Sequence, residues 1–127
     1  MAVDAELGVV GFYSLGAFSL DLADLPADVA HRLPRYEAIP AALIGRLARD
    51  ERVRGTGVGE LLLADAVRRT LDASRSVAMF AILVDAKDDR AAAFYADFGF
   101  QPFPTRPGRM FLLAQSAAEG FARSFGP

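Results

Sequence analysis

The chain has 127 residues, enough for one hydrophobic core but not for two, so we expect a single domain over residues 1–127. A hydrophobic content of 53% predicts a folded chain, and the absence of cysteine excludes disulfides, thiolate metal sites and a cysteine nucleophile. His31 is the single histidine, which excludes a multi-histidine metal site, and we expect no bound metal. No apolar run is long enough to span a bilayer and Met1 is not followed by a signal-peptide pattern, so the sequence predicts a cytoplasmic protein without membrane contact.

The net charge of −2 conceals a strong asymmetry along the chain. Residues 1–30 carry five acidic residues and no Lys or Arg, whereas residues 31–54 carry six arginines against three acidic residues. This arginine cluster permits a local contact with a polyanion. A solvated face with scattered ion pairs would have the same composition.

The first half of the chain predicts strands. Residues 9–20 are rich in β-branched and aromatic residues and predict a long strand, with Ala2 and Val3 as the end of a preceding one. Residues 21–36 contain two prolines and no sustained period, which predicts a connection with no more than one helical turn. Residues 39–48 predict a further strand.

The second half alternates helices with strands. Residues 57–73 follow a helical period, with Asp65, Arg68, Arg69 and Asp72 on its polar side. The eight apolar residues of 77–84 predict a central strand covered on both faces. A helix over 88–98 that ends at Gly99, a strand over 110–114 and a short final helix complete a mixed α/β layered sheet.

A glycine-rich turn leads into the first long helix and predicts an anion site. Gly55, Gly57 and Gly59 allow a sharp turn, and the free N–H groups of the following helix favour a phosphate, with Arg54 adding positive charge. A dinucleotide fingerprint would need glycine where Glu60 stands, and a P-loop would need Gly-Lys-Ser/Thr from position 60 onward. The alternative is a glycine-rich helix start with an exposed arginine.

Two motifs resemble those of the GNAT acetyltransferases. Arg54-x-x-Gly57-x-Gly59 is similar to the turn that holds the pyrophosphate of acetyl-CoA, and the stretch from Ala91 through Tyr95 to Phe100 resembles the block that follows the central strand. The resemblance covers residues 9–115. It implies a GNAT-type α/β (α+β) fold, in which a mixed, mainly antiparallel sheet is flanked by helices, and acetyl-CoA as cosubstrate.

The resemblance also implies roles for individual residues. Tyr95 would be the acid that protonates the departing CoA thiolate, after an amine attacks the thioester without a covalent enzyme intermediate. Spacing alone leaves Tyr95 open as a core aromatic, since it shares a helical stripe with other apolar residues. No general base is identifiable, and Glu37 and Asp50 are candidates only through their proximity in sequence. The implied cofactor-binding residues are Leu47, Ala48 and Arg49 on a strand and Arg54, Gly55, Thr56, Gly57, Val58 and Gly59 in the turn.

A narrower resemblance is to the GNAT toxins of type II toxin–antitoxin systems. It rests on the stretches at residues 10–15, 33–36 and 43–48. It implies acetylation of the α-amino group of aminoacyl-tRNA and a ribbon-helix-helix antitoxin as partner. Arg35 and Arg46 would then contact phosphates of the tRNA.

The sequence also departs from these toxins. Arg49 replaces an aliphatic residue, Asp88 replaces an asparagine that contacts the cofactor, and the leading strand and two helices are missing, so the fold would be N-terminally shortened. We therefore expect an apolar patch beside residues 9–20 that a partner subunit, as in a homo-oligomer, or a rearranged tail covers. The alternatives to a tRNA-acetylating enzyme are a small-molecule or protein N-acetyltransferase and an inactive truncated GNAT domain that acts as a binding module.

Overall fold

A computed structural model of the protein describes residues 2–4, 8–35, 38–49, 57–74 and 78–125. At residues 2–4, 8–10, 46, 48, 49 and 121–125 the description is of the backbone alone.

Within the described ranges, six strands form one mixed, mainly antiparallel sheet in the order β1-β2-β3-β4-β6-β5. The strands are β1 (Ala2–Asp4), β2 (Gly8–Leu20), β3 (Ile39–Arg49), β4 (Ala81–Asp85), β5 (Gln101–Pro102) and β6 (Arg109–Leu113). Each neighbouring pair is antiparallel except β3 and β4, which run parallel. The expected α/β fold with a mixed, mainly antiparallel sheet is thus confirmed.

In the described parts of the chain four α-helices accompany the sheet: α1 (Ala27–Ala30), α2 (Val58–Ala73), α3 (Asp89–Phe98) and α4 (Ala114–Phe125). Helix α2 is the crossover that the parallel pair β3 and β4 requires. Helix α3 begins after Asp88, whose carboxylate accepts from the backbone N–H of Ala91 at 2.8 Å, and it ends at Gly99, whose φ of 120° is costly for residues with a Cβ. The N-cap contact explains why an aspartate suits position 88.

The sheet carries an apolar cluster on each face. Helices α2, α3 and α4 cover one face, where Leu63 and Val67 pack against Ile82 and Val84 of the central strand. Leu25 and Val29 lie in the second cluster, against Leu83 of β4. The connection between β2 and β3, with a 3-10 turn at Leu22–Asp24 and the single turn of α1, therefore covers part of the other face.

Several predicted boundaries differ from the structure. The apolar run from residue 77 predicts a longer central strand than β4, which begins at Ala81, and Ala78 is exposed. Val77 lies outside the described residues, and Met79 and Phe80 are half-buried without belonging to the strand. The strand predicted over 110–114 lies one residue earlier, because Ala114 begins α4.

The expected apolar patch beside β2 is limited among the side chains described. Phe12 and Leu15 are 44% and 40% exposed, whereas Tyr13 is half-buried against α2 and Phe18 lies under the Arg109 guanidinium. Because successive side chains of a strand point to opposite faces, Phe12 and Leu15 lie on different faces of the sheet. A continuous patch on one face is not formed by these two residues.

Candidate active site

The parallel strands β3 and β4 pair only over their first residues and then leave one edge of β3 open. Their last paired residues are Ile44 and Val84, yet β3 continues to Arg49. From residue 45 to residue 49, β3 pairs with β2 on one side, and no described strand pairs with its other side. Every second residue there directs its N–H and C=O groups toward an open edge of about 16 Å.

A β-bulge lies where this edge opens. Ser14 pairs with Arg46 and Leu15 with Ile44, so Gly45 is the extra residue of β3. A Cβ at Gly45 would lie 3.0 Å from the Ser14 hydroxyl oxygen, which is tighter than ordinary packing. Because a bulge bends its strand and increases the local twist, it accounts for the departure of β3 from β4 just beyond Ile44.

The N-terminus of α2 lies on the carboxyl side of β3. Gly57 is its N-cap residue, with a φ of 87° in the left-handed region, and it has no side chain with which to cap the first turn. The first N–H groups of a helix lack partners within the helix, and together with the helix dipole they attract an anion. The sequence-predicted anion site therefore has one of its expected components here. Arg54, Gly55 and Thr56 lie outside the described residues.

Tyr95 lies on α3, the helix that follows the carboxyl end of β4. Its ring is 8% exposed and makes edge-to-face contacts with Phe94 and Phe100, at centroid distances of 5.4 and 5.7 Å. Its hydroxyl makes no hydrogen bond to another described residue. Burial, with a smaller contribution from the Asp85 carboxylate, raises the pKa of the Tyr95 phenol, so that the group is a protonated donor at neutral pH.

Asp85, at the carboxyl end of β4, forms an ion pair with Arg109 of β6. Arg109 donates to both carboxylate oxygens of Asp85, through Nε at 2.8 Å and Nη2 at 2.9 Å. Hydrogen bonding by Arg109 lowers the pKa of Asp85 below its usual value. The same guanidinium lies 4.9 Å from the centroid of the Phe18 ring, which links β6 to β2 across the sheet face.

A polar contact that the sequence does not predict joins β2 to α2. The Tyr13 hydroxyl donates a hydrogen bond to the Asp65 carboxylate, and the Arg69 guanidinium lies 5.8 Å from the Tyr13 ring centroid. The helical period assigns Asp65 to the solvated side of α2, but Asp65 is half-buried against the sheet. Its position beside the apolar stripe was the available signal, and the tyrosine that it contacts lies more than fifty residues earlier.

The predicted cofactor residues occupy two elements. Leu47 is half-buried in β3 and packs against the core on the α2 side of the sheet. The structure describes Ala48 and Arg49 as backbone in β3, Gly57 as the N-cap of α2, and Val58 and Gly59 as the first two residues of that helix. Gly59 is thus helical and not part of the turn. The two candidate bases, Glu37 and Asp50, lie outside the described residues.

The two predicted tRNA-contacting arginines lie in different segments of the chain. Arg35 is exposed and precedes β3, whereas Arg46 lies in its carboxyl half, where only its backbone is described. Residues 36 and 37, which join Arg35 to β3, lie outside the described residues.

A surface depression of about 420 Å³ lies away from the predicted cofactor-binding residues and from Tyr95. It is lined by residues that include Pro40 and Ala41, at the beginning of β3, together with Met79. This is the opposite end of β3 from its open edge, and no charged side chain lines it. We therefore assign the candidate site to the open edge of β3, which leads toward the N-terminus of α2, and Tyr95 lies in the apolar cluster on the same face of the sheet. No group of acidic or histidine side chains in the described ranges could hold a metal ion.

Within the same ranges, no helix combines the length and apolarity needed to cross a membrane.

Residues 3–102 match the model of a family described as acetyltransferase (GNAT) domain. The chain is 37% identical over 119 residues to a probable toxin TacT of Sinorhizobium fredii, covering 88% of this chain and 66% of the relative. It is 42% identical over 109 residues to a tRNA-acetylating toxin of Mycobacterium tuberculosis, covering 86% and 64%. The chain thus spans slightly less than two thirds of the length of these curated relatives.

Solved structures of similar proteins share the fold. AtaT complexed with acetyl-methionyl-tRNAfMet superposes with a TM-score of 0.83 at 30% identity, covering 93% of this chain and 70% of that one. A tyrosine-to-phenylalanine variant of AtaT, bound to the C-terminus of the antitoxin AtaR and acetyl-CoA, superposes with a TM-score of 0.76 at 26% identity, covering 93% and 69%.

Proposed function

Because the chain belongs to the acetyltransferase (GNAT) domain family, we propose that it transfers the acetyl group of acetyl-CoA to an amine. The observation that carries this proposal is the open edge of β3 from residue 45 to residue 49. The pantetheine arm of acetyl-CoA contains two amide groups, and an unpaired strand edge offers N–H and C=O partners to such an arm. The N-terminus of α2 suits its pyrophosphate.

Acetyl-CoA supplies a thioester carbonyl that a neutral amine attacks; the C–N bond forms, the amine loses a proton to solvent, and the C–S bond breaks. The backbone of β3 at Leu47, Ala48 and Arg49 holds the arm, and an N–H group of this edge stabilises the negative charge that develops on the carbonyl oxygen. Tyr95 donates its proton to the departing sulfur, a role that suits a phenol whose raised pKa keeps it protonated at neutral pH. The residues from Arg54 to Gly59, the last two of which form the beginning of α2, bind the pyrophosphate.

We propose the α-amino group of aminoacyl-tRNA as the acceptor. The similarity to a tRNA-acetylating toxin and to a protein solved with acetyl-methionyl-tRNA supports this choice. The arginines at 35 and 46 would contact tRNA phosphates. We place this activity in the cytoplasm, where aminoacyl-tRNA is used.

We also propose two protein partners. An antitoxin is supported by the similarity to AtaT, which has been solved with AtaR. Association of this chain with a second copy would shield Phe12, an exposed large apolar residue of β2. Light scattering checks the second proposal, and a monodisperse monomer would contradict it.

Mass spectrometry of charged tRNA tests the proposed reaction directly. We expect an increase of one acetyl group on the aminoacyl moiety after incubation with the protein and acetyl-CoA. Uncharged tRNA and free amino acids are the controls. Acetylation of free amines or peptides but not of charged tRNA would favour a small-molecule or protein acetyltransferase. Failure of acetyl-CoA to bind would leave only the hypothesis that the chain is an inactive domain that acts as a binding module.

A further inference from the structure

The contact between Tyr13 and Asp65 joins the two elements that form the proposed acetyl-CoA site. Tyr13 lies on β2 directly opposite Leu47 of β3, in the segment whose other edge is open. Asp65 lies about two turns from the N-terminus of α2. One hydrogen bond therefore connects the strand pair that would hold the pantetheine arm to the helix that would bind the pyrophosphate.

We propose that the Tyr13–Asp65 hydrogen bond is a positioning contact that sets the N-terminus of α2 against the open edge of β3 and thereby determines affinity for acetyl-CoA. The inference rests on the proposed function, since it concerns the same site. Neither residue touches the reacting atoms. Both act through the placement of backbone groups that do.

The remaining attachment of α2 to the sheet is apolar. Leu63, Ala66 and Val67 are fully buried against β3 and β4, and such contacts are non-directional. The other side-chain hydrogen bonds of α2 in the described ranges stay within the helix, as in the bond from the Thr70 hydroxyl to the Ala66 carbonyl at 3.0 Å. Among described residues, the Tyr13 hydroxyl thus makes the one directional side-chain bond between α2 and the sheet.

The pKa shifts of both residues keep Tyr13 as the donor and Asp65 as the acceptor of this hydrogen bond. Burial, and then the hydrogen bond to Asp65, raise the pKa of Tyr13 to about 12, so its hydroxyl remains a donor. The same hydrogen bond is the largest influence that lowers the pKa of Asp65, which remains a charged acceptor. Arg68 and Arg69 approach the carboxylate at 3.0 and 3.3 Å and orient it further.

Loss of the bond should weaken binding through the population of competent molecules. If α2 samples other positions, the apparent dissociation constant rises in inverse proportion to the fraction that keeps the required arrangement. For the loss of one net hydrogen bond we expect a weakening of about 3- to 10-fold. Turnover at saturating acetyl-CoA should change less than 2-fold, because the reacting groups are intact once the ligand is bound.

Calorimetric titration with acetyl-CoA tests the inference on the full chain. Tyr13→Phe and Asp65→Ala should each weaken binding by this factor, and the double variant should be no weaker than either single variant because both remove the same bond. Asp65→Asn, which keeps an acceptor oxygen, should bind within 2-fold of the unmodified protein. Thr70→Val is the matched control, since it removes a hydrogen bond of α2 that does not reach the sheet.

The outcomes separate this inference from the proposed function. No binding by the unmodified protein overturns both. Binding by the unmodified protein and equal binding by Tyr13→Phe overturns the positioning role alone. Equal weakening by Tyr13→Phe and Thr70→Val, with similar losses of melting temperature, would also overturn it, because stability and not placement would then explain the effect. If Tyr13→Phe does not fold, the comparison of Asp65→Ala with Asp65→Asn decides.

Discussion

Replacing Tyr95 with phenylalanine should separate a catalytic role from a structural one. The variant keeps the ring that packs against Phe94 and Phe100 and loses only the hydroxyl. If Tyr95 is the general acid, turnover should fall about 10²- to 10⁴-fold, the usual size of such a contribution. This corresponds to about 3–5 kcal/mol in the activation barrier.

The effect of Tyr95→Phe on stability should be small for reasons visible in the structure. The hydroxyl makes no hydrogen bond to another described residue, so its removal should change the free energy of unfolding by less than about 1 kcal/mol. Tyr95→Ala is the contrasting variant, because it deletes a ring that is 92% buried and should cost about 3–5 kcal/mol. Acetyl-CoA affinity should be unchanged in Tyr95→Phe.

Acetyl transfer, acetyl-CoA binding and urea unfolding should be measured on the same preparations. Full activity of Tyr95→Phe would refute the proposed acid. Reduced activity together with a matching loss of stability or of acetyl-CoA affinity would point to a packing role. The proposed chemistry requires lost turnover with binding and stability both retained.

Three further predictions concern stability. Leu63→Ala should lower the free energy of unfolding in urea by about 2–5 kcal/mol, because Leu63 is 0% exposed. Leu61→Ala should change it by less than about 0.5 kcal/mol, because Leu61 is 69% exposed. Equal effects would contradict the described buried face of α2. Gly57→Ala should cost about 1–2 kcal/mol through its left-handed φ, since apart from its chain neighbours no atom of a described residue lies within 4 Å of an added Cβ; unchanged stability would refute that conformation. The Arg109 hydrogen bonds lower the pKa of Asp85 in the folded protein. The ion pair therefore stabilises the fold fully at a pH above the unfolded-state pKa of about 4, and this stabilisation is lost as the pH falls. Asp85→Asn should lower the melting temperature more at pH 6 than at pH 3, and an equal effect at both pH values would refute this.

Local patterns determined where most elements lie. The helical period over 57–73 predicted α2 to within one residue, because an apolar stripe on a helix depends on residues three and four apart. The ends of α3 were readable from Asp88 and Gly99, since helix capping acts within a single turn. The motif with Gly57 and Tyr95 indicated the family, which the match over residues 3–102 supports.

Tertiary structure decided how those elements form a site. The opening between β3 and β4 depends on a bulge at Gly45 and on where the pairing of Ile44 with Val84 stops, and pairing between distant segments leaves no local signature. Asp65 has the polarity of a solvated residue, and only the approach of Tyr13 from a distant strand gives its carboxylate a buried partner. The sequence by itself thus determined the elements and the family, while the packing of α2 on the sheet determined which of their polar groups converge.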